Sequence, residues 1–510
     1  MSEGNEPTID IGGISISVSD WDATPASVKK ALVCALIETI SRLEERVSHL
    51  EEQLNQNSQN SSLPPSKDGF GPPKPDPEGK GKGKRKRGGQ PGHKGYSRKL
   101  YPLEACKQVF EHRPKTCGHC GEPLSGNDPA PYRHQIVELP PIEPIVIEHR
   151  LHALDCEHCG KTTRSKLPAE VHQGGYGERL SAVVALLSGA YRQSHQQVKT
   201  CLAALFEIEI SGGSINRLRR EASAALGQPV AEAQGYVQGE AVIHSDETSF
   251  RQGNSDGQNQ AQRQGWLWVL VTPMVSVFSI LLSRSQAAAQ ALIGPAYDGI
   301  VVSDRYSGYG WIDISQRQVC WAHLKRDFTR IAERQGVCQE IGKGLLAQQK
   351  ALFELWYQVR DGTLSRTGFA ELVQPIRAAV KAVLEEGANY DIGPKEKTPL
   401  AKTVRTCRQL LLVEPALWTF VTVLGVEPTN NTAERSLRAG VIWKRISFGA
   451  ESQAGSEFVA RMLTTVSSLT MQQRDVLDFL TQAYWSARFG QPPPSLLPLA
   501  THQPQTLITP

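Results

Sequence analysis

Three acidic residues stand where the sequence leaves an apolar run or opens a helix. Asp246 closes Ala241-Val242-Ile243-His244-Ser245, Asp304 follows Ile300-Val301-Val302-Ser303, and Glu434 comes shortly after Thr429-Asn430. Carboxylates gathered at one point hold hard cations such as Mg2+ or Mn2+. Two such ions, about 3.5–4 Å apart, serve phosphodiester displacement: one activates the attacking oxygen and the other stabilises the leaving oxygen. Strand-end aspartates are also common in ordinary turns, and a Glu in the first turn of a capped helix also suits a plain surface. The residues alone leave both readings open. Arg435, Arg438, Lys444 and Arg445 follow Glu434 and are candidates for phosphate contact. Glu247, next to Asp246, points to the opposite face if the strand continues, which assigns it a supporting role.

A second chemistry lies in Cys117-Gly118-His119-Cys120 and Cys156-Glu157-His158-Cys159. Each Cys-x-x-Cys turns two thiolates toward one ion, and two such knuckles complete a tetrahedral zinc site. The expectation is one structural Zn2+ on Cys117, Cys120, Cys156 and Cys159, with His119 and His158 as bystanders and a redox pair as the alternative. Extended segments near 133–139 and 144–152 are expected to join the knuckles as a ribbon. The other six cysteines are scattered and give no disulfide framework. Cys320 and His323 share metal-ligand spacing, but would need further ligands.

These groups need elements to position them. Apolar runs predict strands at 241–244, 265–271, 275–282 and 300–303, with a short strand at 318–320 and helices over 285–293 and from Ala322. Two buried strands, each ending in an Asp, can set the carboxylates side by side at a sheet rim. Residues 333–425 read as mostly helical: Leu345–Val359, Phe369–Glu385 and Ala401–Leu412. Further helices are expected at 455–470 and 473–488. Upstream, 195–206 and 214–226 are helices separated by a Gly-containing break, a helix-turn-helix-like pattern that is also a common packing unit. Asn216, Arg217, Arg219 and Arg220 on its second helix are candidates for DNA contact.

At the N-terminus, Val33, Ile40, Val47 and Leu54 alternate with Leu36, Leu43 and Leu50 at heptad spacing. Branched residues at one seam position and Leu at the other favour a parallel two-stranded coiled coil; one amphipathic helix packed on its own chain is the alternative. Residues 67–99 hold 11 Lys or Arg against 3 acids, although the whole chain is only +4. This Pro- and Gly-rich stretch cannot build a core, and Lys84, Arg85, Lys86 and Arg87 suit attachment to phosphates without sequence reading. The segment 266–282 is too short and broken to span a membrane, and no early run reads as a secretory signal. A cytoplasmic, nucleoid-associated protein is expected.

Several motifs occur together in fixed order: Asn60-Ser61-Ser62-Leu63-Pro64-Pro65-Ser66, Gly88-Gly89-Gln90-Pro91-Gly92-His93-Lys94-Gly95, and the two knuckles. Then come His244-Ser245-Asp246-Glu247-Thr248, Val302-Ser303-Asp304-Arg305-Tyr306, Cys320-Trp321-Ala322-His323-Leu324 and Asn430-Asn431-Thr432-Ala433-Glu434-Arg435. Over roughly residues 30–485 the chain resembles full-length transposases of the insertion-sequence 66 family. The resemblance implies a ribonuclease-H-like α/β catalytic fold with a helical insertion and an Asp-Asp-Glu triad on Asp246, Asp304 and Glu434. It implies two Mg2+ or Mn2+ ions, DNA (element ends and target) as substrate, a homodimer or higher synaptic oligomer, and small accessory proteins of the same element. Cys-x-x-His pairs like Cys320 and His323 occur after the second Asp in the related transposases, which implies that they shape the site or contact DNA and do not hold the catalytic metals.

The expected architecture is therefore multidomain. A loose N-terminus (1–27), a leucine-zipper-like coiled coil (28–57) and a basic linker (58–99) precede a zinc-ribbon-like module (100–172) and helix-turn-helix-like helices (173–235). The catalytic domain follows in two parts (236–332 and 426–490) around the helical insertion (333–425), before a loose tail (491–510). The rival classes are a DNA-binding regulator that has lost catalysis, a nuclease that cleaves without joining, and a structural oligomer built on the heptad. Assays of cleavage and of joining separate them.

Overall fold

The computed structural model describes residues 8–11, 14–17, 24–55 and 98–499. A hairpin of β1 (Thr8–Ile11) and β2 (Ile14–Ser17) precedes the long helix α1 (Ala26–Asn55). Val33, Leu36, Ile40, Leu43 and Val47 are each 43–54% exposed, so the heptad seam is not buried within this chain. The side chains of Leu50 and Leu54, and the whole of Lys84–Arg87, lie outside the described residues.

The cysteine-bearing segment contains one short ladder, β3 (Ala153–Asp155) antiparallel to β4 (Thr162–Arg164), and a single bridge from Thr116 to Pro123. The extended segments expected at 133–139 and 144–152 form no strand ladder: Ile136, Leu139, Ile145 and Val146 are 82–93% exposed. A segment this short gathers too little apolar surface to pull its strands together unaided.

Four helices follow: α2 (Glu178–Ser188), α3 (His195–Phe206), α4 (Gly212–Ala225) and α5 (Gly227–Gln238). Ser194 and Gln197 form a capping box at the start of α3, and Ser211 caps α4. The centre is a five-stranded sheet of β5 (Val242–Ser249), β6 (Trp266–Val271), β7 (Ser276–Leu281), β8 (Ile300–Ser303) and β9 (Arg317–Val319), with α6 (Gln286–Ile293) between β7 and β8. Its order is β7-β6-β5-β8-β9. β5, β6 and β7 form an antiparallel meander, whereas β8 and β9 run parallel to β5.

After α7 (Trp321–Ala332) come α8 (Val337–Arg360), α9 (Arg366–Ala388), α10 (Pro399–Leu412) and the single turn α11 (Thr419–Thr422). The chain ends with α12 (Asn431–Ser447), α13 (Gln453–Met471) and α14 (Val476–Phe489). Two large cores result. In one, the inserted helices pack with α7 against Val302 and Val319 at the β8–β9 end of the sheet. Trp321 ties this core together: its indole N–H donates to the Leu417 carbonyl at 2.7 Å, and its ring meets Trp418 edge-on.

The other core unites the sheet with α12–α14 and the inner faces of α2, α4 and α5. The helix-turn-helix-like region is thus docked on the C-terminal helices. The Arg488 side chain, 2% exposed, bridges Glu178 at 3.0 Å and Glu221 at 2.6 Å. Beside it, the Tyr484 hydroxyl donates to the Leu218 carbonyl. On the outer strand β7, Thr464 and Ser468 of α13 accept from the Phe278 and Ser276 amides, which covers an edge that would otherwise be open to pairing.

Candidate active site

The site begins at the middle strand. Along β5, His244, Asp246 and Thr248 face one side of the sheet, while Ser245 and Glu247 face the other. The pairing of Val242 with Ile300 through His244 with Val302, carried two residues further, brings Asp304 level with Asp246. The same extension from β9 brings Cys320 level with Asp304. Three parallel strands therefore deliver Asp246, Asp304 and Cys320 along one rim.

Helix α12 lies across the His244–Asp246–Thr248 face. Gly440 permits the approach, since a Cβ there would fall 2.1 Å from the Leu267 side chain, and Leu267 pairs with Thr248. At its far end, the Lys444 ammonium donates to the Thr248 hydroxyl at 2.9 Å and the Ser249 carbonyl at 2.8 Å. At its near end Asn430, fully buried, donates its amide N–H to the Ser245 carbonyl at 2.8 Å. Its amide oxygen lies 3.1 Å from His244 Nδ1, and its backbone N–H donates to Cys320 Sγ at 3.0 Å. By sequence Thr429 or Asn430 can cap this helix; the Asn430 side chain makes no cap bond and instead fixes the start of α12 to β5. Glu434 lies in the first turn beyond, close enough to act on the Asp246 carboxyl.

Charge is crowded here. Burial first, then Glu247 and Asp304 and, less strongly, Glu434, hold the Asp246 carboxyl well above the usual carboxylate range. Asp246 and Asp304 each accept a local backbone N–H, from Glu247 at 2.9 Å and Tyr306 at 2.8 Å. Glu434 lies 3.3 Å from Arg326 and 3.5 Å from His323 Nδ1. Burial and then the Arg326 guanidinium push the His323 imidazole below its ordinary value, against the pull of Glu434 and Asp304.

Glu247 occupies the opposite face with its own partners. Arg284 donates to it from Nε at 2.9 Å and Nη2 at 2.7 Å, and the buried Tyr309 hydroxyl donates at 2.6 Å. Arg284 is in turn stacked on Tyr306, 3.8 Å from the ring centre. Burial still raises the Glu247 carboxyl, despite these donors. Asn430, Arg284, Tyr309, Arg326 and His244 are absent from the sequence-derived site. Only the fold shows what they touch; the local signals are the doublet Asn430-Asn431 before Glu434 and the place of His244 in the motif that carries Asp246.

The remaining candidates divide. Asn216, Arg217 and Arg220 lie exposed on α4, and Arg435, Arg438 and Arg445 lie exposed on α12. Arg219 is turned inward: it stacks 4.4 Å from the centre of the Phe458 ring and meets His195 Nε2 at 2.8 Å, so packing occupies the group expected at DNA. Lys444 is likewise engaged by β5, not left for phosphate.

Each cysteine knuckle is formed on its own terms. The Cys117 and Cys156 amides donate to the Glu122 and Lys161 carbonyls, and the amides of Gly121 and Gly160 return to Cys117 and Cys156. Both glycines sit at positive φ, +78° and +67°, as the reversal demands. Backbone N–H groups of each turn lower the Cys117 and Cys156 thiols, which favours thiolate. No three of the knuckle sulfurs gather within 4.8 Å of one another. Among the described residues, the group of three or more ligand side chains gathered within 4.8 Å is Cys320, His323 and Glu434.

Residues 173–458, more than half of the chain, match the transposase IS66 family. The chain belongs to this family. Residues 114–160 match the zinc-finger binding domain of transposase IS66, which spans both knuckles. Residues 22–99, covering the heptad and the basic stretch, match a family of unknown function. An uncharacterized protein of Sinorhizobium fredii is 28% identical over 249 residues, a match that covers 45% of each chain. No helix among the described residues is long and apolar enough to cross a membrane.

Proposed function

We propose that this chain is a DNA transposase that cleaves at the ends of its element and joins the freed 3′ end to target DNA. The observation that carries this reading is that Asp246 and Asp304 come level on neighbouring parallel strands, with the Asp246 carboxyl raised by burial, by Glu247 and Asp304 and, less strongly, by Glu434 from the helix laid across them. A carboxyl raised by burial and by neighbouring carboxylates calls for a counter-charge, and oxygen donors suit Mg2+ or Mn2+. When bound, two such ions activate the attacking oxygen and stabilise the leaving one. The chain's own part is placement: β5 and β8 fix the aspartates, Asn430 fixes α12, and Arg284 with Tyr309 balances Glu247 so that it does not add an unpaired charge. The sheet order β7-β6-β5-β8-β9, interrupted by helices before α12, supports a ribonuclease-H-like catalytic unit with a helical insertion.

In the same reading, Cys117, Cys120, Cys156 and Cys159 share one structural Zn2+, for which two preformed thiolate turns are a fitting donor set. The exposed heptad seam of α1 pairs with a second copy. Lys84–Arg87, with Asn216, Arg217, Arg220, Arg435, Arg438 and Arg445, contact DNA.

The test incubates purified protein with labelled element ends and Mg2+ or Mn2+ and resolves binding, cleavage and joining. Asp246→Asn, Asp304→Asn and Glu434→Gln should each remove cleavage and joining while binding persists. The losses should not add, because the carboxylates act as a unit. Near-parental activity in any one variant removes that residue from the triad. Cleavage without joining by the parent would indicate a nuclease, and binding alone a regulator.

A further inference from the structure

Soft ligands meet the third carboxylate where two helices begin. Cys320 precedes the first residue of α7 and is fully buried. His323 lies one turn along the same helix, on the same side. Glu434 enters from the first turn of α12, and the ligand atoms of the three lie within 4.8 Å of one another. His323 Nδ1 is already 3.5 Å from the Glu434 carboxylate. With bonds of about 2.0–2.3 Å, a tetrahedral zinc ion separates its ligands by roughly 3.5 Å. The His–Glu pair therefore has the required spacing, and the sulfur has to close by no more than about 1.3 Å. A second observation points the same way: His323 Nδ1 is buried without a hydrogen-bond partner, as a nitrogen set aside for another ligand would be.

We propose that Cys320, His323 and Glu434 form a site for a thiophilic divalent cation, best matched by Zn2+, separate from a hard-ion site on Asp246 and Asp304 and sharing Glu434 with it. One thiolate and one imidazole select against Mg2+, which prefers oxygen donors and keeps its waters. Three protein ligands leave a fourth position open. Arg326, 3.3 Å from the same carboxylate oxygen, is the group the ion displaces. The site itself stands on these three side chains; its consequence rests on the transposase reading. An ion held here draws Glu434 from the hard-ion site, so Zn2+ inhibits the Mg2+-supported reaction.

The experiment uses full-length protein freed of metal by a chelator and titrated with Zn2+ against a competing metal indicator, without DNA. The parent should bind one equivalent more than His323→Gln and one more than Cys320→Ser. The double variant Cys117→Ser with Cys156→Ser should keep that equivalent while losing another. Because Cys320 lies inside the fold, His323→Gln, with its partly exposed ring, is the deciding variant, and its melting curve without metal should match the parent's. Equal zinc content in the parent and His323→Gln overturns the site. Failure of the transposase reading appears elsewhere, as cleavage and joining that survive Asp246→Asn, and leaves this zinc count unchanged. Given the extra equivalent, joining by the parent in Mg2+ should fall as Zn2+ fills the site; joining unchanged at full occupancy overturns the inhibitory role.

Discussion

Replacing Asn430 by Ala tests whether one buried amide aligns the site. The side chain is fully enclosed, and both of its polar atoms are used: the N–H on the Ser245 carbonyl at 2.8 Å and the oxygen on His244 Nδ1 at 3.1 Å. Ser245 and His244 are themselves buried, 1% and 7% exposed, so water does not readily replace the lost partner. A buried polar group left unpaired costs about 1–3 kcal/mol, and a value of about 1.5 for each, in the lower half of that range, gives roughly 3 kcal/mol. For a cooperative unit of some 150–250 residues this lowers Tm by roughly 6–12 °C. The effect on chemistry should exceed the effect on stability, because Glu434 sits one turn from the anchor that is removed. Scanning calorimetry and a joining assay at a temperature where the variant remains folded measure the two separately. An Asn430→Ala protein that melts within about 2 °C of the parent and joins DNA at the parental rate would refute the argument. The start of α12 would then be held by the Gly440 and Lys444 contacts alone.

Three further outcomes are expected. Asp246 has a carboxyl raised in the folded state by burial and by Glu247 and Asp304, so its contribution to stability is present below its ordinary value of 3.8 and lost as pH rises through the higher folded value. At neutral pH without metal, Asp246→Asn should melt above the parent, and Mg2+ should raise the parent's Tm but not the variant's; a variant that melts lower would contradict this sign. Leu36→Gln with Leu43→Gln should lower the mass found by sedimentation equilibrium, since both side chains are exposed in the single chain; an unchanged mass would show that the seam does not pair two copies. Neutralising Lys84, Arg85, Lys86 and Arg87 should weaken specific and random DNA alike and reduce the salt slope by up to about 3.6, measured by anisotropy, whereas equal slopes would place these charges in solvent.

Local pattern and long-range assembly divide the information in this protein. The sequence by itself determined the strands of the central sheet and most helices around it, because each depends on apolar spacing within a few residues; the β1–β2 hairpin, the β3–β4 ladder and α5 fall outside the expected elements. The runs ending at Asp246 and Asp304 become β5 and β8, and the expected helices become α3, α4, α6–α10, α13 and α14 with shifts mainly at their ends. The motif order also identified the family. What only the tertiary structure decided was which side chains meet across long separations. Asn430 reads locally as a cap, yet spends its amide 185 residues away on Ser245. Arg219 reads as a free base on a recognition-like helix, yet Phe458 and His195 enclose it. Cys320 and His323 read as two ligands short of a site until α12 brings Glu434 to them. In each case the residue type fixed what bonds were available, and the packing of α12 and α13 on the sheet and the docked helices fixed which were made. Periodicity tells which face of an element is buried; it carries no information about which distant element covers that face.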